Sequence, residues 1–189
     1  MRKRSVDELD RLSVEAYRQA GKHPVVLLLD DVRSAHNVGS AFRTADAFRV
    51  EKLFLCGITG TPPHREITKT ALGADESVPW EYAADAAQAA QALQRAGYQL
   101  IAVEQAEGSV PLQAFEAAPG GKYCFIFGNE VFGVRDELIA ACDACLEIPQ
   151  FGTKHSLNVS VSVGIVLWEV IVKLNALRPA HPGDPGVKF

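Results

Sequence analysis

A chain of 189 residues, 48% hydrophobic and 22% charged, is long and apolar enough to bury one substantial core. Its formal net charge of −4 argues against a protein that coats nucleic acid non-specifically, although it leaves room for a local basic mouth. The purest apolar run, Val25 to Leu29, falls far short of the roughly 18 residues of a membrane span, and no apolar signal core follows MRKRSVDELD, so a cytoplasmic protein is expected.

In chain order, Ser5-Val6-Asp7-Glu8 fits a capping box, which predicts a helix from Ser5 to Gly21. Val25 to Leu29 is a continuous aliphatic run of the kind that suits a strand buried on both faces. A loop from Asp31 to Gly39, a helical stretch to about Arg49 and a strand from Lys52 to Cys56 follow. Residues 59–79 read as irregular, with one short helical piece. The Ala- and Gln-rich stretch Ala83 to Ala96, closed by Gly97, is a predicted helix. Strands are expected at Gln99 to Val103, Tyr123 to Phe127 and Leu146 to Ile148, with a helix at Asp136 to Cys142. A last long element runs from Leu157 to about Asn175. The tail from Arg178 to Phe189 reads as frayed. Strands alternating with helices imply an α/β fold with a mostly parallel sheet, one domain over residues 1–176 and a tail over 177–189.

Asn158 to Val163 alternates apolar and polar residues perfectly, which on period alone says strand. The apolar run continues to Val172 without a turn residue, too long for one strand. As a helix it carries a small stripe at Ser156, Ser160 and Gly164 beside an apolar face of Leu157, Val161, Ile165 and Trp168. Helix is the better reading.

Nucleotide-binding glycine patterns and metal-ligand spacings are missing, so no metal is expected. Cys142 and Cys145 form a C-x-x-C without a second pair, and read as two small buried thiols. Three polar clusters remain, each just after a predicted strand: Asn37 to Arg43, Gly128 to Gly133, and Ile148 to Gly152 leading to Ser156-Leu157-Asn158. Loops at the carboxyl ends of parallel strands converge on ligand sites. Each cluster also has a plain structural reading. Asn37, Ser156 and Asn158 suit helix N-caps, Gly128 and Gly133 suit turns with positive φ, Glu130 suits a first helical turn, and Arg43 suits a solvated helix face.

The runs N-V-G-S-A-F-R-T-A-D-A-F, G-N-E-V-F-G-V and I-P-Q-F-G-T-K-H-S-L-N-V-S-V-S resemble, in order, the three motifs of the SpoU/TrmH RNA methyltransferases. The resemblance spans residues 25 to about 175. It implies a C-terminal deep trefoil knot (Ile148 to Asn175 threading an earlier loop), a homodimer, and methyl transfer from S-adenosyl-L-methionine to a ribose 2′-OH of RNA. Carried over motif by motif, it makes Asn37, Arg43, Glu130, Ser156 and Asn158 the active-site residues. It places the cofactor around Val103, Gly128, Ile148 and Leu157. Gln150 departs from the Met often found there, which bears on pocket shape.

A guanidinium does not readily give up its proton, so Arg43 is better cast as holding phosphate and alkoxide charge, with Glu130 and Asn37 orienting it and Ser156 and Asn158 fixing the loop. Three other readings stand beside this one: a silent knotted RNA-binding module, a knotted enzyme methylating a guanine base, and a hydrolase using Ser156 beside His155. RNA contacts are expected from Arg2, Lys3, Arg4, Arg33, His36, His64, Arg65 and Lys154. The low net charge and the lack of room for an accessory domain favour tRNA over rRNA.

Overall fold

The computed structural model describes residues 1–176 other than 6 and 10; the expected tail at 177–189 lies outside the described residues. Seven strands form one sheet: β1 (His23–Asp30), β2 (Val50–Cys56), β3 (Trp80–Ala83), β4 (Gln99–Val103), β5 (Val110–Pro111), β6 (Tyr123–Phe127) and β7 (Ala144–Glu147). Their order is β3-β2-β1-β6-β4-β7-β5 and every pairing is parallel. All carboxyl ends therefore lie along one edge.

The unbroken apolar run of β1 has a direct cause. Val25, Leu27 and Leu29 enter one core with α2 (Ala35–Ala47), α3 (Arg65–Ala71), α4 (Ala74–Ser77) and α7 (Val159–Ala176). Val26 and Leu28 enter a second core with α5 (Ala86–Arg95) and α6 (Asp136–Ala141). Alternation in β6 repeats the pattern, Tyr123, Phe125 and Phe127 on the first side and Cys124 and Ile126 on the other. Each such side chain, fully buried, stabilises the fold by about 1.5–3 kcal/mol before entropy is counted.

The predicted helix from Ser5 to Gly21 does not form as one piece. Ser5 N–H does reach Glu8 Oε2 at 2.7 Å, but it opens only a 3₁₀ turn, Asp7–Leu9. The α-helix α1 (Val14–Gln19) starts afresh from Ser13, whose hydroxyl accepts from the Ala16 N–H. Leu9 and Leu12 are exposed and Tyr17 alone of α1 is buried, so no apolar stripe holds a longer helix to the core. The Ala83 to Ala96 helix is likewise shorter: Trp80–Ala83 is edge strand β3, and Asp85 caps α5. Residues 59–79 hold two helices, α3 and α4, and the two-residue β5 had no expectation at all.

The alternating segment is helical. Val163, Val166, Leu167, Val170, Ile171 and Leu174 are buried at a period that fits 3.6 residues per turn and not two. Cys142 and Cys145 are free and half-buried rather than fully buried, and burial pushes both thiols up, Cys142 to about 12.

Candidate active site

Between the ends of β4, β6 and β7 lies a cleft of about 510 Å³. Its walls include all four residues assigned to the cofactor, Val103, Gly128, Ile148 and Leu157, and three assigned to catalysis, Glu130, Ser156 and Asn158. Asn37 and Arg43 do not line it.

Glu130 sits in the tight loop after β6, closed by Asn129 N–H to Gly133 O at 3.0 Å and Gly133 N–H to Asn129 O at 2.8 Å. It does not lie in a helix. The Asn129 side chain braces the loop, its Oδ1 accepting from the Val131 and Phe132 N–H groups and its Nδ2 donating to the Asp31 carbonyl. Gly133 has φ +69°, as a turn glycine should, whereas Gly128 does not need positive φ. Gly128 is small for another reason: a Cβ there would lie 2.1 Å from the Gly133 carbonyl carbon and oxygen.

The Glu130 carboxylate accepts from the N–H groups of Arg33 and Ser34, at 2.9 and 3.0 Å, and from Asn37 Nδ2 at 3.0 Å. Those two amides precede α2, so Glu130 caps that helix from across the chain, alongside Ser34, whose hydroxyl accepts from the Asn37 N–H. Burial raises the Glu130 carboxyl, but the Arg33, Ser34 and Asn37 donors outweigh it and hold the group below its ordinary value.

Asn37 is buried inside α2 and is not the N-cap. Its Nδ2 serves Glu130 while its Oδ1 accepts from Asn158 Nδ2 at 3.0 Å. Asn158 in turn starts α7, its Oδ1 accepting from Ser160 N–H at 2.8 Å and its carbonyl from Ser162 N–H at 3.0 Å. One polar bridge, Glu130–Asn37–Asn158, thus joins all three motifs.

Arg43 is not part of that bridge. It is exposed on α2 and has no hydrogen-bond or ion-pair partner among the described residues, so Glu130 and Asn37 do not orient it. Their polar atoms are committed to each other, to the Asn158 amide and to the backbone. Ser156 is exposed at the cleft with no hydrogen bond among the described residues, so it does not fix the loop as expected; nor does it bond His155. All eight residues assigned to RNA, Arg2, Lys3, Arg4, Arg33, His36, His64, Arg65 and Lys154, are exposed. Arg2 pairs with Glu8 at 2.6 Å, His36 with Glu66 at 3.1 Å, and His64 caps α3 by accepting from the Glu66 N–H.

No motif singles out Asp30, Arg135, Glu104 or Gln105. Asp30, buried at the end of β1, receives Arg135 Nε at 2.8 Å and Nη2 at 3.2 Å. Burial still pushes the Asp30 carboxyl up against that guanidinium. An Asp closing an apolar strand was the available signal, but nothing local pointed to its partner.

Residues 24–168 match the model of the SpoU rRNA Methylase family. The chain belongs to that family. This SpoU-family chain is 31% identical over 157 residues to the 23S rRNA (guanosine-2′-O-)-methyltransferase RlmB of Vibrio cholerae, covering 83% of the chain and 62% of the relative. It is 32% identical over 146 residues to the RlmB of Neisseria meningitidis, covering 77% and 57%. The chain therefore spans about three-fifths of the length of these curated relatives. Among solved structures it is similar to the A. aeolicus TrmH/SpoU tRNA modifying enzyme, with a TM-score of 0.77 and 25% identity over 86% of this chain and 83% of that one. It is also similar to the AdoMet-bound rRNA methyltransferase of Sinorhizobium meliloti, with a TM-score of 0.74 and 29% identity over 89% and 62%.

Proposed function

We propose that this protein transfers the methyl group of S-adenosyl-L-methionine to a ribose 2′-hydroxyl of RNA, with ribosomal RNA the favoured substrate. The polar bridge Glu130–Asn37–Asn158 carries the reading. It gathers the three family motifs at the carboxyl edge of the sheet and backs them onto the cleft.

The cleft suits the cofactor. Its volume falls in the range of small-molecule sites, Val103, Phe127, Ile148 and Leu157 supply apolar walls, and the approach at Gly128 leaves no side chain in the way. Gly128, Ile148 and Leu157 would hold the cofactor largely through backbone groups, with Val103 beside them. Bound there, the cofactor supplies an already activated sulfonium methyl. The chain's own work is then alignment of the ribose oxygen and exclusion of water. Arg43, free on α2, takes the RNA side, holding phosphate and the developing alkoxide charge. Ser156, unengaged at the cleft, faces the substrate hydroxyl. Glu130, Asn37 and Asn158 keep the loops in register.

The choice of RNA departs from the sequence expectation of tRNA. A net charge of −4 cannot tell one polyanion from another, since a local basic patch decides binding. The named curated relatives are 23S rRNA enzymes, while the structural neighbours include a tRNA and an rRNA enzyme. Incubating the protein with labelled cofactor and either purified RNA tests the proposal. Label is expected on ribose of ribosomal RNA. Label on tRNA alone would reverse the substrate preference, label on a base would overturn the ribose assignment, and binding without transfer would leave a silent module.

Knotting and dimerisation belong to the same proposal. After β7 the chain returns to dock α7 against α2, and Lys173 Nζ donates to the carbonyls of Gln113 and Phe115 at 2.7 and 2.8 Å, which supports a thread beneath that turn. The outer face of α7 leaves Val161, Ile165, Trp168 and Val172 at 49%, 36%, 57% and 47% exposure, a stripe that fits a second subunit. A crystal structure is expected to show the thread and this stripe covered by a symmetry mate. A monomer near 20.4 kDa in sedimentation at micromolar concentration would remove the dimer.

A further inference from the structure

Two residues just past β4 tie together loops that the motifs leave on opposite sides of the cleft. Glu104 Oε2 accepts from the Val134 N–H at 2.9 Å, and its Oε1 from the Gln105 N–H at 2.8 Å. The carboxylate nests against Gly133: a Cβ on that glycine would lie 2.2 Å from Glu104 Oε2. Next along the chain, Gln105 Nε2 donates to the His155 carbonyl at 2.7 Å. Glu104 itself is anchored to the sheet, its N–H donating to Leu146 O at 3.0 Å and its carbonyl accepting from Cys145 Sγ at 3.4 Å. Both residues line the cleft.

We propose that Glu104 and Gln105 are positioning residues that fix the width of the cofactor cleft, Glu104 by holding the loop after β6 and Gln105 by holding the segment before α7. The inference rests on the reading of the cleft as a cofactor site. Glu130 holds the same loop to α2 from its other end, so loss of Glu104 frees the cofactor-facing side while the bridge to Asn37 survives. The donor from that loop is the Val134 main-chain N–H, so the effect depends on an acceptor at position 104 and not on a particular partner side chain.

The test is calorimetric binding of S-adenosylhomocysteine to the full chain, with steady-state kinetics alongside. Glu104→Ala is expected to weaken binding on the order of tenfold or more, the scale for losing hydrogen bonds to a charged group. The loss should fall on KM for the cofactor, with kcat changing far less. Glu104→Gln keeps an oxygen for the Val134 N–H and should recover most of the affinity. Gln105→Ala should weaken binding less than Glu104→Ala. Wild-type affinity in both alanine variants would overturn the inference. So would a Glu104→Gln variant as impaired as Glu104→Ala, because charge and not acceptor geometry would then be responsible. Should Glu104→Ala not fold, the Gln variant and Gln105→Ala decide the matter in the same way. Wild-type protein that binds no S-adenosylhomocysteine would instead overturn the reading of the cleft, and this inference with it.

Discussion

Gly128→Ala is expected to destabilise the protein by about 3 kcal/mol or more and to abolish cofactor binding. The added methyl would sit 2.1 Å from the carbonyl carbon and oxygen of Gly133 and 2.3 Å from the Val134 nitrogen. These are backbone atoms, so no rotamer change relieves the clash. Relief requires opening the paired hydrogen bonds between Asn129 and Gly133, and that displaces Glu130 from Arg33 and Ser34. The melting temperature should fall on the order of 10 °C, read by circular dichroism. An unchanged melting temperature together with normal cofactor affinity would show that the loop has a second, equally good packing.

Arg43→Ala is expected to lower methyl transfer on the order of a hundredfold or more, since a group aimed at developing charge is lost. Stability should hold, because Arg43 is exposed and has no hydrogen-bond or ion-pair partner among the described residues. Cofactor affinity should hold as well, because Arg43 does not line the cleft. Single-turnover transfer measured beside cofactor binding separates these effects. Arg43→Lys should restore little, since a lysine keeps the charge but not the planar fork that matches phosphate. Near-normal turnover in Arg43→Ala would remove the residue from the mechanism.

The central strands were legible because burial on both faces writes itself as an unbroken apolar run, as in Val25 to Leu29 and Tyr123 to Phe127. Edge elements carry no such mark. Trp80–Ala83 pairs on one side alone and is half exposed, and its Ala83 merges with the Ala-rich helix that follows. In the first residues half of the capping box forms, the Glu8 carboxylate accepting from the Ser5 N–H, yet without an apolar stripe the helix does not propagate. At Asn158 to Val163 period alone points to a strand, because serines alternate with valines along the first turns of the helix, and the length of the apolar run decides for helix.

For the site, the polar clusters that directly follow strands are legible in the sequence, and residues of the second and third line one cleft. It could not assign partners. Asn37 reads as a cap on local grounds, whereas its amide is spent across the molecule on Glu130 and Asn158. Charge complementarity pairs Arg43 with Glu130 on the sequence alone, but the amides before α2 fill that carboxylate. Glu104 and Gln105 belong to no motif, and their partners are main-chain groups, which every residue offers and no sequence distinguishes.

The bridge at the heart of the site has a bearing on how the protein comes into being. Its two side-chain contacts span 93 and 121 positions of the chain, Asn37 to Glu130 and Asn37 to Asn158. Contacts of such separation pay their loop-closure entropy before they return any enthalpy, and they dominate the slow part of folding. A nascent chain that has emerged only as far as β6 can hold a good hydrophobic core and still lack Asn158. The cleft is therefore completed only when the final helix docks and brings Asn158 to Asn37.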